Sequence, residues 1–404
     1  MSQAPVHQHH LSHNNLISPH FCRIFKMRTK STKHLKKADK TVQNTAKRVL
    51  SKNETNAVKG FAILAMLFYH LFHEAEVTES MGVIYYLPKN IFYMLSSYGN
   101  ICVAIFAFLS AYGITKGLKS AEEKSGAASL RDEYKSAFTR WFRLAMHFFS
   151  IYLLVNIIWF KHFDLSGLYG KSLTGAIYFL LDATGLSALF GSPMLNETWW
   201  YLDIAVKIIF TVPLIRALTK KIGWGMIPLT ICLTAIIPME PERYILVAVL
   251  GVTAAQEDLY EKIVNPKESL PAILRSSAVR RIAGTVLMIL FIPFRQNYVV
   301  YNEFGAIADA VIALVTSFFI ADLFSAVPLI EKVPAFLGKH SANIFFTHTF
   351  FYLILWREFT FSPKYAVLIL LLLLAESLAL SIVITILESL FNKAKTKICK
   401  KRTL

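Results

Sequence analysis

The stretch "AVKGFAILAMLFYHLFHEAE", residues 57–76, is almost long and apolar enough to cross a bilayer as a single helix. It nevertheless carries Lys59 near its start and His70 and His73 near its end. Lys59 and His70 are eleven residues apart, so they share a helix face and lie about 16 Å apart along the axis. Ionisable groups at membrane depth are costly and by default mark functional sites. The stretch therefore predicts a membrane helix with a functional group deep in its span.

The three ionisable groups of this helix have different interpretations. Lys59 fits either a side chain that reaches back to the cytoplasmic interface or a member of a site. His73, one turn beyond His70, fits a solvated position at the opposite interface. His70 lies past the middle of the bilayer, where interfacial water does not explain it. We therefore predict a functional role for His70.

The composition is that of a helical membrane protein. The chain has 404 residues, of which 55% are hydrophobic, and its mean hydropathy is +0.46. The apolar runs are continuous and do not alternate, which argues against a β-barrel. The net charge of +17 does not indicate nucleic-acid binding, because the basic residues gather in the tails and short loops. Neither a disulfide framework nor a metal site is indicated by the four cysteines, Cys22, Cys102, Cys232 and Cys399.

The apolar runs predict an all-α polytopic membrane protein with about ten transmembrane helices. Their centres lie near residues 65, 103, 151, 209, 231, 250, 288, 316, 348 and 378. An even number of spans puts both termini on one side of the membrane, and the charge of every loop agrees when that side is the cytoplasm. If residues 173–193, "LTGAIYFLLDATGLSALFGSP", crossed the membrane, every later loop would lie on the opposite side from the one that its charge predicts. We therefore interpret them as a re-entrant or interfacial segment.

The charge distribution divides the chain into three parts. Residues 1–52 are predicted to be a basic, disordered cytoplasmic tail that touches anionic membrane lipids. Residues 53–392 form the transmembrane domain, and residues 393–404 form a second basic cytoplasmic tail.

Two motifs supply candidate binding residues. In "TRWFR" Arg140 and Arg143 share a helix face, which suits a phosphate group but also fits the positive-inside bias. The motif "NETWWYL" offers candidate substrate contacts, and its aromatic residues also fit a belt at the membrane interface. These candidates are Asn196, Glu197, Trp199 and Trp200.

The stretch "GKHSANIFFTHTFF", residues 338–351, begins the ninth span. Lys339 at its cytoplasmic edge is a candidate phosphate ligand, and Ser341 is a candidate substrate contact. His348 lies deeper and is a second catalytic candidate.

Acidic residues also occur within apolar spans, as they would in a transporter. Asp203 and Lys207, four residues apart on one helix, are predicted to neutralise each other. The remaining acids of this kind are Asp309, Asp322 and Glu376.

Five motifs resemble those of the membrane acyltransferase-3 family in order and spacing: "KGFAILAMLFYHLF", "FAFLSAYGITKG", "RWFR", "TWWYL" and "GKHSANIFFTHTFF". The similarity covers about residues 55–390. Members of this family are polytopic bacterial enzymes that acylate surface glycans, usually with acetyl groups from acetyl-CoA. The resemblance implies that His70 is the catalytic base and that Arg140 and Arg143 hold the CoA end. It also makes Ser110 a candidate substrate contact, and Lys59 stands where the family usually has arginine.

The implied reaction moves an acetyl or other short acyl group from cytoplasmic acyl-CoA to a hydroxyl of an extracytoplasmic glycan or glycolipid, without a metal. Lys59, Lys339 and the two arginines would meet the phosphates. His70, with the near-neutral reference pKa of histidine, would remove the hydroxyl proton. Direct transfer is the simpler course, but the sequence does not separate it from a route through an acyl-histidine intermediate.

The alternative function is a non-enzymatic transporter or polysaccharide flippase. A transporter also explains the ten spans and the acidic residues within them. It explains less well why basic pairs cluster beside the spans that bear histidines.

Overall fold

The computed structural model describes residues 48–126, 129–236 and 243–401. These ranges are almost entirely helical, and their only strand-like pairing is an isolated bridge between Ile84 and Tyr365. A main unit comprises residues 48–386. A second unit includes residues 387–404, of which the structure describes helix as far as residue 401.

We number the α-helices of the described ranges in chain order. They are α1 (Lys52–Phe72), α2 (Ala75–Ser80), α3 (Lys89–Tyr98), α4 (Cys102–Ser125), α5 (Leu130–Ile158), α6 (Leu165–Tyr169), α7 (Leu173–Ala183), α8 (Ser187–Phe190), α9 (Tyr201–Ile222), α10 (Met226–Ile236), α11 (Arg243–Gln256), α12 (Leu259–Val264), α13 (Ala272–Arg275), α14 (Ser277–Gln296), α15 (Tyr298–Glu303), α16 (Gly305–Ala326), α17 (Pro328–Thr349), α18 (Arg357–Phe361) and α19 (Ala366–Lys401). Short 3₁₀ turns occupy Gly99–Ile101, Glu197–Trp200 and Gly223–Gly225, and a π-helical turn, Phe350–Leu355, follows α17.

Six helical segments in the described ranges are long and apolar enough to cross a membrane. They are Lys52–Phe72, Lys89–Ser125, Leu130–Ile158, Ser277–Gln296, Gly305–Ala326 and Ala366–Ala394. The helical class of the fold is therefore confirmed. The count of ten spans stays a prediction, because the helices at the other four predicted centres are shorter or less apolar than these six.

Burial divides the long helices into inner and outer ones. Most residues of the segments that contain α4 and α16 are buried, whereas almost none of the residues of α14 are. Ile282, Ile289 and Leu290 of α14 are more than half exposed, at 65%, 61% and 56%. A face of this kind is stable where hydrocarbon is the solvent, because lipid imposes no penalty on apolar side chains.

The start of α1 is fixed by caps and charges. Ser51 and Glu54 form a capping box, in which the Ser51 hydroxyl accepts from the Glu54 N–H and the Glu54 carboxylate accepts from the Ser51 N–H. Arg48 binds the same carboxylate at 2.8 Å and Asp322 of α16 at 2.5 Å, and it donates to the Tyr260 hydroxyl of α12. One side chain therefore ties the beginning of α1 to two helices that come much later in the chain.

Residues 173–193 form two short helices, α7 and α8, and the turn between them. α7 has 11 residues and a length of about 16 Å, too short for a bilayer core of about 30 Å. The re-entrant path stays a prediction. Most of the predicted N-terminal tail, residues 1–47, lies outside the described residues, together with Cys22.

Candidate active site

α1 and α17 form the most extensive helix contact in the described chain. Gly60 of α1 faces the backbone carbonyl of Pro334, and Gly338 of α17 faces the backbone carbonyl of Asn56. A Cβ atom at either glycine would overlap the oxygen that it faces. Small residues allow this close approach, which is a common way for membrane helices to associate.

The glycine contact brings two histidines to one place. His70 and His348 each lie ten residues beyond the glycine of their own helix, about 15 Å along the axis. Their ring centres are 5.0 Å apart, so α1 and α17 run parallel. The sequence nominated both histidines separately, and the structure places them in a single site.

His348 is completely buried and has a fixed orientation. Its Nδ1 lies 2.9 Å from the carbonyl oxygen of Phe345 and 3.2 Å from that of Ile344. Its Nε2 is buried and has no hydrogen-bond partner in the described part of the chain. His70 is half-buried, and the described residues offer it ring contacts but no hydrogen bond.

Aromatic and polar side chains surround the pair on the side where α1 ends. Tyr352 lies in the π-helical turn that follows His348, with its ring stacked 6.0 Å from that of His348 and 6.5 Å from that of His70. π-helical turns are rare and frequently occur at functional sites. Tyr69 stacks at 4.2 Å on His73, whose Nε2 lies 3.3 Å from a carboxylate oxygen of Glu74.

The segment before α9 supports the last turn of α17, which carries His348. The Trp199 indole donates to the carbonyl of Phe346 at 3.1 Å, and the Asn196 amide donates to the Thr349 hydroxyl at 2.5 Å. Both residues are buried, and their partners flank His348 in the chain. The sequence made Asn196 and Trp199 candidate substrate contacts. In the structure the Trp199 indole N–H and the Asn196 amide N–H both donate to α17. The two residues therefore hold in place the part of α17 that carries His348.

The other predicted substrate contacts are more scattered. Glu197 and Trp200 are exposed, and the Trp200 ring lies 6.2 Å from that of Tyr244. Ser341 is buried and donates its hydroxyl to the carbonyl of Gly338 within α17. Ser110 of α4 is half-buried beside Tyr201. None of these four residues contacts the histidine rings through an interaction that the structure describes.

The arginine pair predicted for phosphate lies on α5. Arg140 is half-buried, its Nε has no partner in the described chain, and a Cβ atom at Gly117 of α4 would lie 3.1 Å from its terminal nitrogen. Arg143 is exposed one turn further on. Among the arginines that the described ranges bury or half-bury, only Arg140 and Arg357 lack a carboxylate partner. Arg140 is therefore a guanidinium available to an anionic ligand.

The two predicted lysines flank the glycine contact. Lys59 precedes Gly60 and is half-buried, and Lys339 follows Gly338 and is exposed. Neither has a carboxylate partner in the described residues. Measured along their helices, Lys59 lies about 16 Å before His70 and Lys339 about 14 Å before His348.

Sequence reasoning missed His147 of α5. It lies four residues beyond Arg143 and seven beyond Arg140, so all three share one helix face. Its ring centre is 6.4 Å from that of Phe346, two residues from His348. The spacing of the three residues can be read from the sequence, but the contact between His147 and α17 cannot.

The acidic residues within the spans are engaged by bases or hydroxyls. Asp203 and Lys207 pair at 2.8 Å, as predicted. Asp309 binds Arg243 and Arg295, both at 2.6 Å. Three arginines surround Asp322, and Glu376 accepts a hydrogen bond from Thr360 at 3.0 Å. No group of three or more histidine, cysteine, aspartate or glutamate side chains is placed to hold a metal ion within the described ranges.

The fold and site thus define a helical membrane protein. It has a histidine pair with one buried and one half-buried ring, and a neighbouring helix carries an arginine without a carboxylate partner in the described residues. Residues 53–386 match the profile of the acyltransferase-3 family, described as an acyltransferase domain. The chain belongs to this family, and the resemblance seen in the sequence is confirmed. Comparisons with curated proteins and with solved structures give no significant match.

Proposed function

We propose that this membrane acyltransferase moves an acetyl group, or another short acyl group, from acyl-CoA to a hydroxyl of a glycan or glycolipid. Membership of the family supports acyl transfer. The observation that carries the proposal further is the pair of His70 and His348. The His70 imidazole is half-buried and has no hydrogen bond in the described chain, and the His348 imidazole is buried with its Nδ1 against backbone carbonyls. An imidazole free to accept a proton is what a general base requires.

The phosphates of the donor would bind at Arg140 and Arg143, with Lys59 and Lys339 as further cations. Arg140 supports this role because its guanidinium has no carboxylate partner in the described chain. Guanidinium groups bind phosphate oxygens through paired, charge-assisted hydrogen bonds. The pantetheine arm would then extend toward the histidines over the distance of about 16 Å that separates Lys59 from His70 along α1.

The chemical step follows from the position of His70. A ring nitrogen of His70 accepts the proton of the acceptor hydroxyl while the oxygen attacks the thioester carbonyl. The carbon–sulfur bond then breaks, and the CoA thiolate leaves with the proton that His70 returns. The products are the acyl ester and CoA thiol, and no metal or redox partner is required.

The membrane arrangement that suits this chemistry has ten spans in the cell membrane and both termini in the cytoplasm. The donor enters at the lysine end of α1, because CoA is charged and remains in the cytoplasm. The acceptor enters at the other end, past Tyr352 and Tyr69, from the extracytoplasmic side. The parallel course of α1 and α17 supports this order, since the predicted first and ninth spans have the same direction.

The transporter or flippase alternative has less support. A transporter would use unpaired acids within the spans to carry ions or protons. In the described chain, Asp309 and Asp322 are neutralised by arginines and Asp203 by lysine. The ion pairs of Asp309 and Asp322 join different helices, and that of Asp203 lies within α9.

The proposed donor site predicts that Arg140→Gln raises the KM for acetyl-CoA by about 10- to 100-fold with little change in kcat. Hydrogen bonds to a charged group are worth about 1.5 to 3 kcal/mol, which corresponds to that range. The measurement uses protein reconstituted in liposomes, radiolabelled acetyl-CoA and a surface-glycan preparation as acceptor.

Arg131→Gln is the matched control for this experiment. Arg131 is exposed on α5 and lies nine residues before Arg140, on the opposite face of the helix. Its replacement should leave the KM unchanged. Equal effects of the two substitutions would contradict the donor site, and absence of any acetyl transfer by the wild-type protein would favour the transporter.

A further inference from the structure

His348 carries its proton on a known nitrogen. A carbonyl oxygen can only accept a hydrogen bond, and the His348 Nδ1 lies within bonding distance of two such oxygens, at 2.9 and 3.2 Å. Nδ1 therefore holds the proton, and Nε2 of the neutral ring presents a lone pair. This lone pair is buried and receives no hydrogen bond from any described residue. A buried acceptor without a donor is rare in folded proteins and calls for a partner.

His70 is the side chain best placed to donate a hydrogen bond to the Nε2 of His348. Its ring centre is 5.0 Å from that of His348, with the planes inclined at 49°. The two rings make no hydrogen bond in the described chain, but ring nitrogens lie at the ring edge, so a small reorientation of His70 would bring one of its nitrogens within hydrogen-bonding distance of Nε2. Hydrogen bonds of catalytic groups are often long or misaligned without substrate and shorten when it binds.

We propose that His348 is a positioning residue whose Nε2 accepts the N–H of His70 and thereby fixes the tautomer of the catalytic base. With one nitrogen of His70 held as a donor, the other is left as a lone pair that faces the acceptor hydroxyl. His348 thus takes the place that a carboxylate has in a Ser-His-Asp triad. This inference rests on the proposed function, in which His70 is the base.

The surroundings of the pair favour a neutral orienting group. The titratable groups nearest to the two rings are Tyr69 and His73 of α1 and Tyr352 of the π-helical turn. Glu74 contacts His73 and not His70. No described carboxylate contacts either member of the pair. Among these neighbours, His348 is the one that the structure shows with a buried nitrogen lone pair lacking a donor, so it is the neighbour best suited to orient His70.

The backbone around His348 is braced in a way that suits an orienting group. Trp199 and Asn196 bind the residues on either side of it, and the Nδ1 bonds lock the ring to its own helix. Positioning groups act best when their own conformation is fixed by such supports.

The test compares His348→Gln with His348→Phe. A glutamine amide oxygen can accept a hydrogen bond close to the position of Nε2, whereas phenylalanine fills the space without any acceptor. We expect His348→Phe to lower kcat by about 100-fold or more, with the KM for acetyl-CoA unchanged. We expect His348→Gln to retain kcat within about tenfold of the wild type. Equal losses in both variants, or a loss confined to KM, would overturn the inference.

A second measurement does not depend on activity. Nitrogen-15 NMR of histidine-labelled protein distinguishes a protonated ring nitrogen from a bare one, and the His70 signals are assigned from a His70→Gln sample. We expect a single His70 tautomer in the wild type and in His340→Phe, and a tautomer mixture in His348→Phe. His340 is the control because it lies on the same helix and bonds to Ser381 instead, at 2.8 Å.

The two measurements separate the possible failures. A tautomer mixture in the wild-type protein would overturn the role of His348, whatever the activity. A single tautomer in a protein that transfers no acetyl group would overturn the proposed function and leave the histidine pair in place.

Discussion

We expect His70→Gln to lower kcat for acetyl transfer by about 100- to 10,000-fold, the usual contribution of a general base. The KM for acetyl-CoA should stay close to that of the wild type, because Lys59, a proposed phosphate contact, lies about 16 Å away along α1. Glutamine is similar in size to histidine and keeps the packing against α17, but it cannot take up a proton. The measurement is steady-state transfer from radiolabelled acetyl-CoA at matched protein amounts.

The control for this substitution is His73→Gln. His73 lies on the same helix, three residues later, and bonds to the carbonyl of Tyr69 and to Glu74. Its replacement should change kcat by less than about threefold if only His70 acts as the base. Transfer that survives in His70→Gln would remove His70 from that role and shift attention to the buried Nε2 of His348.

We expect Gly338→Ala to lower both stability and activity. The added methyl group would overlap the carbonyl oxygen of Asn56, so α1 and α17 would have to separate. Overpacking of this kind costs about 1–3 kcal/mol. A shift of about 1 Å between the histidines would reduce kcat by up to about 100-fold. Thermal unfolding in detergent and the transfer assay measure the two effects.

Gly113→Ala provides the comparison for the glycine contact. Gly113 is also in the middle of a membrane helix, α4, but a Cβ atom there would meet nothing within 4 Å. Alanine should therefore leave the unfolding temperature equal or raise it, since alanine favours the helix over glycine. A Gly338→Ala protein as stable and active as Gly113→Ala would show that the glycine contact does not set the histidine separation.

The long apolar helices were predictable because membrane spans follow from local composition. The paired role of Asp203 and Lys207 was predictable for the same reason, since four residues bring side chains together on any helix. His70 and His348 were each recognisable as ionisable groups in apolar surroundings. Each of these features depends on the composition or residue spacing of one helix, which can be read directly from the sequence.

The assembled site was not predictable, because it depends on contacts between distant segments. Nothing local indicates that Gly60 meets α17 or that Trp199 donates to Phe346. The sequence makes Trp199 either a residue of the aromatic belt at the membrane interface or a candidate substrate contact, because tryptophan is common near the ends of membrane spans. The π-helical turn that brings Tyr352 onto His348 has no sequence signature that we could have read.

The pairing of α1 with α17 also has a consequence for biosynthesis. The first long helix of the described chain to leave the ribosome finds its closest partner only after most of the protein has been made, and contacts so distant in sequence form late. A nascent chain that ends before α17 carries His70 without His348, Tyr352 or the glycine contact. His70 therefore lacks its partners from α17 and the π-helical turn until synthesis is nearly finished, and we expect incomplete chains in the membrane to be inactive.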